Sequence, residues 1–361
     1  MKQLFSLLFF LVVLFTSCKK TEVANDNSLQ TAIYVMSNEP DTNRILVFNR
    51  ETDGSLNFVS TVSSGGKGFG TRLGSGGGVS VSNNGKWVLS VNGGSNTISS
   101  FRIDAKGLTL VSTVSSKGVK PVSITCHENV VAVANAGDNG NIVLFKLSAS
   151  GELSEIPGAS KELGTTPSVP GQVSFTRDGM MLVASLKQTN KIVAYKVDAG
   201  GVFGTSYEIN SNSPVPYGFA IGTNNQLYVT EAGENKVSVY GLSSNGLTNL
   251  VAPFIPNQIG PCWATALANG NYFYVANAAT NNVSGFKVNA NNSFTMLGDG
   301  IVAASGQRTI DIVSSADSKF VYTLNAESKS IRQYAVNPDG QLTIISDRYG
   351  LPSTVTAFAI K

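Results

Sequence analysis

The chain has 361 residues, of which 42% are hydrophobic and 14% charged, and a formal net charge of +3. Its 26 Lys and Arg balance 23 Asp and Glu without long like-charged blocks, which excludes the concentrated basic footprint of a nucleic-acid-binding protein. One histidine and three scattered cysteines provide no Cys/His cluster for structural zinc, and no Asp-rich EF-type loop is present.

In chain order, Lys2 precedes an almost unbroken apolar run from Leu4 to Phe15, followed by the small residues Thr16 and Ser17. The run is too short to span a membrane and reads as an export signal over residues 1–17. The phrase Phe-Thr-Ser-Cys ending at Cys18 resembles the lipobox of bacterial lipoproteins, although Phe15 stands where Leu is commoner. The resemblance implies lipidation of Cys18 and an exported protein lipid-anchored to the bacterial envelope, periplasmic or outer-membrane facing. Residues 18–30 then comprise the lipidated cysteine and a polar tether, and residues 31–361 one folded domain.

Within that domain a short apolar phrase closing on Tyr or Phe recurs, most clearly at Ile33 to Phe48, Leu227 to Tyr240, Phe273 to Phe286 and Val321 to Tyr334. Its closing aromatics stand at Phe48, Phe101, Phe145, Tyr195, Tyr240, Phe286 and Tyr334, spaced by 53, 44, 50, 45, 46 and 48 residues. That period fits a four-stranded propeller blade, so the fold class is all-β, a seven-bladed β-propeller with four-stranded antiparallel blades. Each unit opens on an apolar strand such as Val169 to Phe175 or Pro261 to Leu267, and turns such as Thr176-Arg177-Asp178-Gly179 link the strands. Those turns supply the positive φ that tight hairpins need. The first unit starts on its second strand, at Thr31 to Val35, and Leu351 to Ile360 resembles the missing inner strand. The C-terminal strand is therefore expected to close the first blade.

Ligands usually approach one mouth of a propeller channel. Around it the register places Arg72, Gln172, Tyr217, Trp263 and Arg308 from inner-strand starts, and Asn38, Asn92, Asn135, Ser185, Glu231, Asn277 and Asn325 from the loops between second and third strands. Aromatic and guanidinium groups together suit a planar or carboxylated ligand. The alternative is that the aromatics pack between blades, the Asn residues cap turns and the arginines make surface pairs. Gly65 to Gly78 contains eight glycines, lacks a phosphate-binding signature and lengthens the first inter-blade connection. It reads as a flexible loop reaching across the mouth with Lys67, Phe69 and Arg72. His127, at a hairpin away from the mouth, reads as a surface residue, and Cys126 and Cys262 as unpaired small hydrophobes.

Tyr34-Val35, Tyr228-Val229-Thr230-Glu231, Tyr274-Val275-Ala276-Asn277 and the Asn337 to Gly340 turn resemble the seven-bladed lactonase family, which includes 6-phosphogluconolactonases and carboxymuconate-lactonizing enzymes. The resemblance covers residues 31 to 361 and implies lactone chemistry at the mouth. Its Pro-Arg-His phrase is replaced by Pro170-Gly171-Gln172 and its Asn-Glu phrase by Ser185-Leu186, removing the acid–base and carboxylate-binding groups from the family positions. Two readings follow. One is a non-catalytic envelope module binding a small molecule or a protein through Arg72, Gln172, Tyr217, Glu231, Trp263 and Arg308. The other is a lactone hydrolase or cyclase for a sugar-derived, uronic or aromatic lactone, with Glu231 as base and Arg72 or Arg308 as oxyanion clamp. A third, a mainly structural envelope protein, remains open. No cofactor is implied, apart from calcium on the oxygen-rich loops, and a monomer is expected.

Overall fold

The structure, a computed structural model, describes residues 31–361 except 106, 224, 252–257 and 291–292. Cys18, the export signal and the tether lie outside the described residues.

Seven antiparallel sheets follow one another along the chain, each a four-stranded blade. Their inner strands are Val79–Val81, Pro121–His127, Pro170–Phe175, Pro216–Ile221, Pro261–Ala266 and Thr309–Ser314 for blades 2 to 7. Blade 6 carries one additional short strand, Ala303–Ala304, against Asn282–Val288. Blade 1 is assembled from both ends of the domain: Ala357–Ile360 pairs antiparallel with Ala32–Met36, setting Ile33 opposite Ile360 and Met36 opposite Ala357. The expected closure is the observed one: it pairs Ala32–Met36 on both sides and makes Ala357–Ile360 the inner edge of the blade.

The recurrent aromatic does the packing its spacing implied. All seven closing aromatics are buried, from Tyr195 at 7% exposure to Phe101, Tyr240, Phe286 and Tyr334 at 0%. Burying each contributes about 2–3 kcal/mol. Phe273 lies between Tyr228 of blade 5 and Phe286 of its own blade, with ring centroids 4.1 and 4.6 Å away. Second strands are buried on both faces, as Trp87–Asn92, Val130–Asn135 and Tyr272–Asn277 show throughout their lengths. Blade-on-blade packing thus accounts for the weak hydrophobic alternation in the sequence.

The turns also follow their residue chemistry. At Thr176 to Gly179 the Gly179 amide donates to the Thr176 carbonyl at 2.9 Å with Gly179 at φ +71°. A Cβ there would lie 2.0 Å from the His127 ring, so glycine is required twice over.

Candidate functional site at the channel mouth

One repeated backbone device builds the mouth. The residue before each inner strand of blades 3 to 7 is left-handed: Lys120, Val169, Val215, Gly260 and Arg308, with φ between +49° and +72°. Four of their amides donate to the side-chain oxygen of an Asn in the preceding blade's loop: Lys120 to Asn96, Val215 to Asn190, Gly260 to Asn235 and Arg308 to Asn281, at 2.7–2.9 Å. A left-handed non-glycine costs roughly 1 kcal/mol, and a hydrogen bond of this kind returns about as much. Two of the five positions carry a cation, so Lys120 and Arg308 stand at equivalent rim positions.

Beneath the rim, the ends of the second strands form a buried polar girdle rather than an exposed one. Asn38, Asn92, Asn135, Ser185, Glu231, Asn277 and Asn325 are all at most 1% exposed. Asn92 donates to Thr97 and Ser99 and accepts from Asn43 and Ser64, while Asn277 donates to Asn282 and Ser284. Glu231 occupies the same register position in blade 5. Its carboxylate accepts from Ser211, Ser238 and Tyr240 hydroxyls at 2.6, 2.6 and 2.7 Å. Fully enclosed and held by three donors, it has no face toward a ligand. Gln172 is similarly occupied: its amide nitrogen donates to the Phe219 carbonyl and its oxygen accepts from the Phe219 amide, both at 3.0 Å, bracing the inner strands of blades 4 and 5.

The other four predicted residues lie within electrostatic or ring-contact reach of one another. Tyr217 and Trp263 meet edge-to-face with centroids 4.8 Å apart. Arg72 approaches them from the glycine-rich connection; partial burial, and then the charge of Arg308, lower its pKa. Arg308 pairs with Glu327 at 3.2 Å. Cys262 adjoins the same group: burial raises its thiol pKa to about 11, with Lys187 and Arg308 pulling the other way. Both cysteines are free thiols.

Lys187 is the residue the sequence reading passed over. It follows Ser185 and Leu186 at the end of the blade 4 second strand, and its ammonium stands 4.5 Å from the Tyr217 ring centroid. Burial, and then the charge of Lys120, bring its pKa down to about 8. Lys120 in turn lies 4.1 Å from the Phe69 ring centroid. Scanning every second-to-third-strand loop for charge, instead of only matching the family's Asn-Glu phrase, would have found it. The mouth therefore gathers Arg72, Lys120, Lys187 and Arg308 around two aromatic rings, with Glu327 as the carboxylate among these groups.

The glycine-rich connection crosses this mouth as a strap. Its near leg is held where the Phe69 amide donates to Asn38 at 2.7 Å and Asn38 donates to the Thr71 carbonyl at 2.6 Å. Its tip reaches blade 4: Ser75 donates to the Pro170 carbonyl at 2.9 Å and the Gly76 amide to the Gly171 carbonyl at 2.8 Å. A Cβ on Gly76 would sit 3.0 Å from Gln172 and 3.1 Å from the Trp263 ring. Lys187 donates to the Gly74 carbonyl, so the strap tip covers the aromatic pair.

Below the strap, a 420 Å3 chamber opens on the opposite face, lined in part by Gly77, Trp263, Asp311 and Phe358. Asp311 accepts from the Ile312 and Phe358 amides at 2.9 and 3.3 Å, the second bond crossing the ring closure. Burial raises its pKa to about 7. His127 lies elsewhere, on a 560 Å3 groove with Phe175, Asp178 and Met180. Among the described residues no three His, Cys, Asp or Glu side chains converge as metal ligands.

The comparisons agree with this architecture. The family model for "Lactonase, 7-bladed beta-propeller" matches residues 27–162 and 220–349. A Lactobacillus plantarum protein of known structure shares 16% identity at a TM-score of 0.76, covering 92% of this chain and 99% of its own. A Bacteroides fragilis protein whose provisional name is 6-phosphogluconolactonase shares 19% identity at a TM-score of 0.73, covering 92% and 98%. The periplasmic gluconolactonase of Pseudomonas aeruginosa shares 16% at 0.71, covering 91% and 98%. No curated protein matches the chain. With seven blades, a ring closed by its last strand and the family model matched over most of its length, the chain belongs to the seven-bladed β-propeller lactonase family.

Proposed function

We propose that the protein hydrolyses or forms a carboxylated lactone, sugar-derived, uronic or aromatic, at the channel mouth. The observation that carries this reading is the convergence of Arg72, Lys187 and Arg308 on Tyr217 and Trp263. With the strap tip lifted, the aromatic pair offers apolar surface to the face of a lactone ring. The guanidinium groups and the Lys187 ammonium together hold the substrate carboxylate. The clustered positive charge stabilises the oxyanion that forms when the lactone carbonyl is attacked. Glu231 takes no part in this scheme, because its carboxylate is enclosed by three hydroxyl donors.

The apolar run of residues 1–17 and the likeness to a periplasmic gluconolactonase support an exported location, with lipid on Cys18 as its anchor. A phosphorylated sugar lactone, a cytoplasmic metabolite, suits that location poorly. The test is pH-stat titration of the purified protein with a carboxylated lactone and with uncharged gluconolactone. Turnover favouring the carboxylated substrate and reduced in Arg308→Ala supports the proposal. Equal rates, or no turnover, overturn it. In the absence of turnover the protein is a binding module, a reading favoured by the strap lying across the mouth.

A further inference from the structure

The strap and Lys187 carry an inference about how the mouth is entered. It rests on the mouth being the ligand site, and not on turnover. We propose that the Lys187 ammonium is a carboxylate-binding seat held closed by the protein's own backbone: the Gly74 carbonyl stands in for a ligand oxygen, and a carboxylate enters by displacing the strap tip, residues 74–77.

The composition of the tip makes it the part able to move. Three of its four residues are glycine, Gly74 and Gly77 are left-handed at φ +67° and +71°, and Ser75 supplies its only side chain. It has almost no apolar side-chain surface with which to anchor itself. Its bonds to the facing blade are Ser75 to Pro170, Gly76 to Gly171 and Lys187 to Gly74. Both flanks are fixed independently. The Leu73 amide donates to Thr356 at 3.3 Å on one side, and the Val91 amide donates to the Gly78 carbonyl at 3.0 Å on the other, while the 2.7 Å bond from the Ile124 amide to the Gly77 carbonyl is one the tip gives up as it lifts. A four-residue span between fixed points, rich in residues that change φ and ψ at little steric cost, meets the physical description of a hinged cover.

The charge balance supplies the driving force. With the strap down, Lys187 is half-buried beside Lys120 and the aromatic face of Tyr217, and the group meeting its ammonium is a neutral carbonyl. The remaining ionisable neighbours are Arg72, Arg308, Glu327, Cys262 and Tyr217. Glu327 is paired with Arg308, and burial raises the pKa of both the Cys262 thiol and the Tyr217 hydroxyl, keeping them neutral at pH 7. Exchanging the carbonyl for a carboxylate replaces a dipole by a full opposite charge where positive charge is in excess. Deprotonation of Lys187 removes that advantage. The closed form depresses its pKa, so raising the pH through about 8 favours the closed strap and weakens anion entry.

Trp263 is a built-in reporter, because Gly76 lies against its ring. The chain has two tryptophans, so Trp87→Phe isolates the signal. The full protein carrying that change is titrated with D-glucuronate, with acetate as the smallest carboxylate, and with glucose as the uncharged control. Trp263 emission and amide-exchange protection of residues 74–77 are followed together. The expected result is a saturable emission change and at least tenfold loss of protection with the carboxylates and none with glucose. The apparent affinity should weaken at least tenfold from pH 7 to pH 9.5. Lys187→Met, which keeps the stem packed on Tyr217, should abolish the response, and Lys187→Arg should retain it; their melting temperatures establish that both fold. The absence of a response to either anion, or a response that survives Lys187→Met, overturns the proposal. Strap release without lactone turnover would leave this inference standing and remove the enzyme reading. Turnover with an immobile strap would do the reverse.

Discussion

The two ends of the central channel are built from the same inner strands yet differ in charge, one crowded with cations and the other balanced. At the mouth, Lys120 and Arg308 enter at left-handed positions before the strands, Lys187 follows a second strand, and the strap brings Arg72. At the other end, Asp311 lies on the chamber wall, held by two backbone amides, with Arg177 on the same lining. Repetition of the blade fixes where side chains enter the channel, while the sign of the charge is set by single residues and by one irregular connection. Function on a propeller is therefore written in the departures from the repeat.

That contrast can be broken in graded steps. The largest effect is expected from deleting residues 351–361, which strips the inner strand from blade 1 and the Phe358 amide from Asp311. The ring should lose its cooperative thermal transition, and a truncated protein melting like the intact one would contradict the closure's role. Next, Arg308→Ala should lower kcat/KM on a carboxylated lactone by about 10²-fold, through loss of a charge-assisted contact. Glu231→Gln should act instead through stability, because the lost charge leaves three hydroxyl donors on a neutral amide. Its melting temperature, not the substrate preference of the folded fraction, should fall.

A smaller effect belongs to Asp311. Its folded pKa, about 7, exceeds the ordinary carboxylate value of 3.8, so the folded state binds the proton more tightly than the unfolded state does. Stability should then fall as the pH rises from about 4 to about 7, by about 4 kcal/mol at most, and level off above that. Melting curves across this range should show the slope in the native protein and a flatter profile in Asp311→Asn. The smallest effect is expected for His127→Ala, on the remote groove, where lactone turnover at neutral pH should be unchanged.

Much of the fold could be read before any coordinates, because each blade repeats its aromatic, its turn glycine and its apolar second strand at a steady period. The missing first inner strand and the surplus Leu351 to Ile360 phrase were readable for the same reason. The mouth was legible only in part. Arg72, Tyr217, Trp263 and Arg308 could be placed by register; Tyr217 and Trp263 touch, and Arg72 stands within electrostatic reach of Tyr217 and Arg308. Glu231 was read as a reactive carboxylate, whereas its register equivalents Asn92, Asn277 and Asn325 show a position devoted to stitching strand ends together. Lys187 escaped notice because the groups that surround it lie on the strap and on neighbouring blades. Its charge in a second-to-third-strand loop was visible locally, but no local pattern records those partners.

By itself the sequence determined the number of blades, the order of strands and the partner of the last strand, since those depend on hydrophobic period and turn chemistry encoded within each unit of about 48 residues. Only the tertiary structure decided the path of Gly65 to Gly78 and the company of Lys187. Glycine imposes no conformation of its own. The strap lies where Pro170, Gly171 and Lys187 offer it hydrogen bonds, and those partners are about 100 residues away in the chain and adjacent only once the ring has closed.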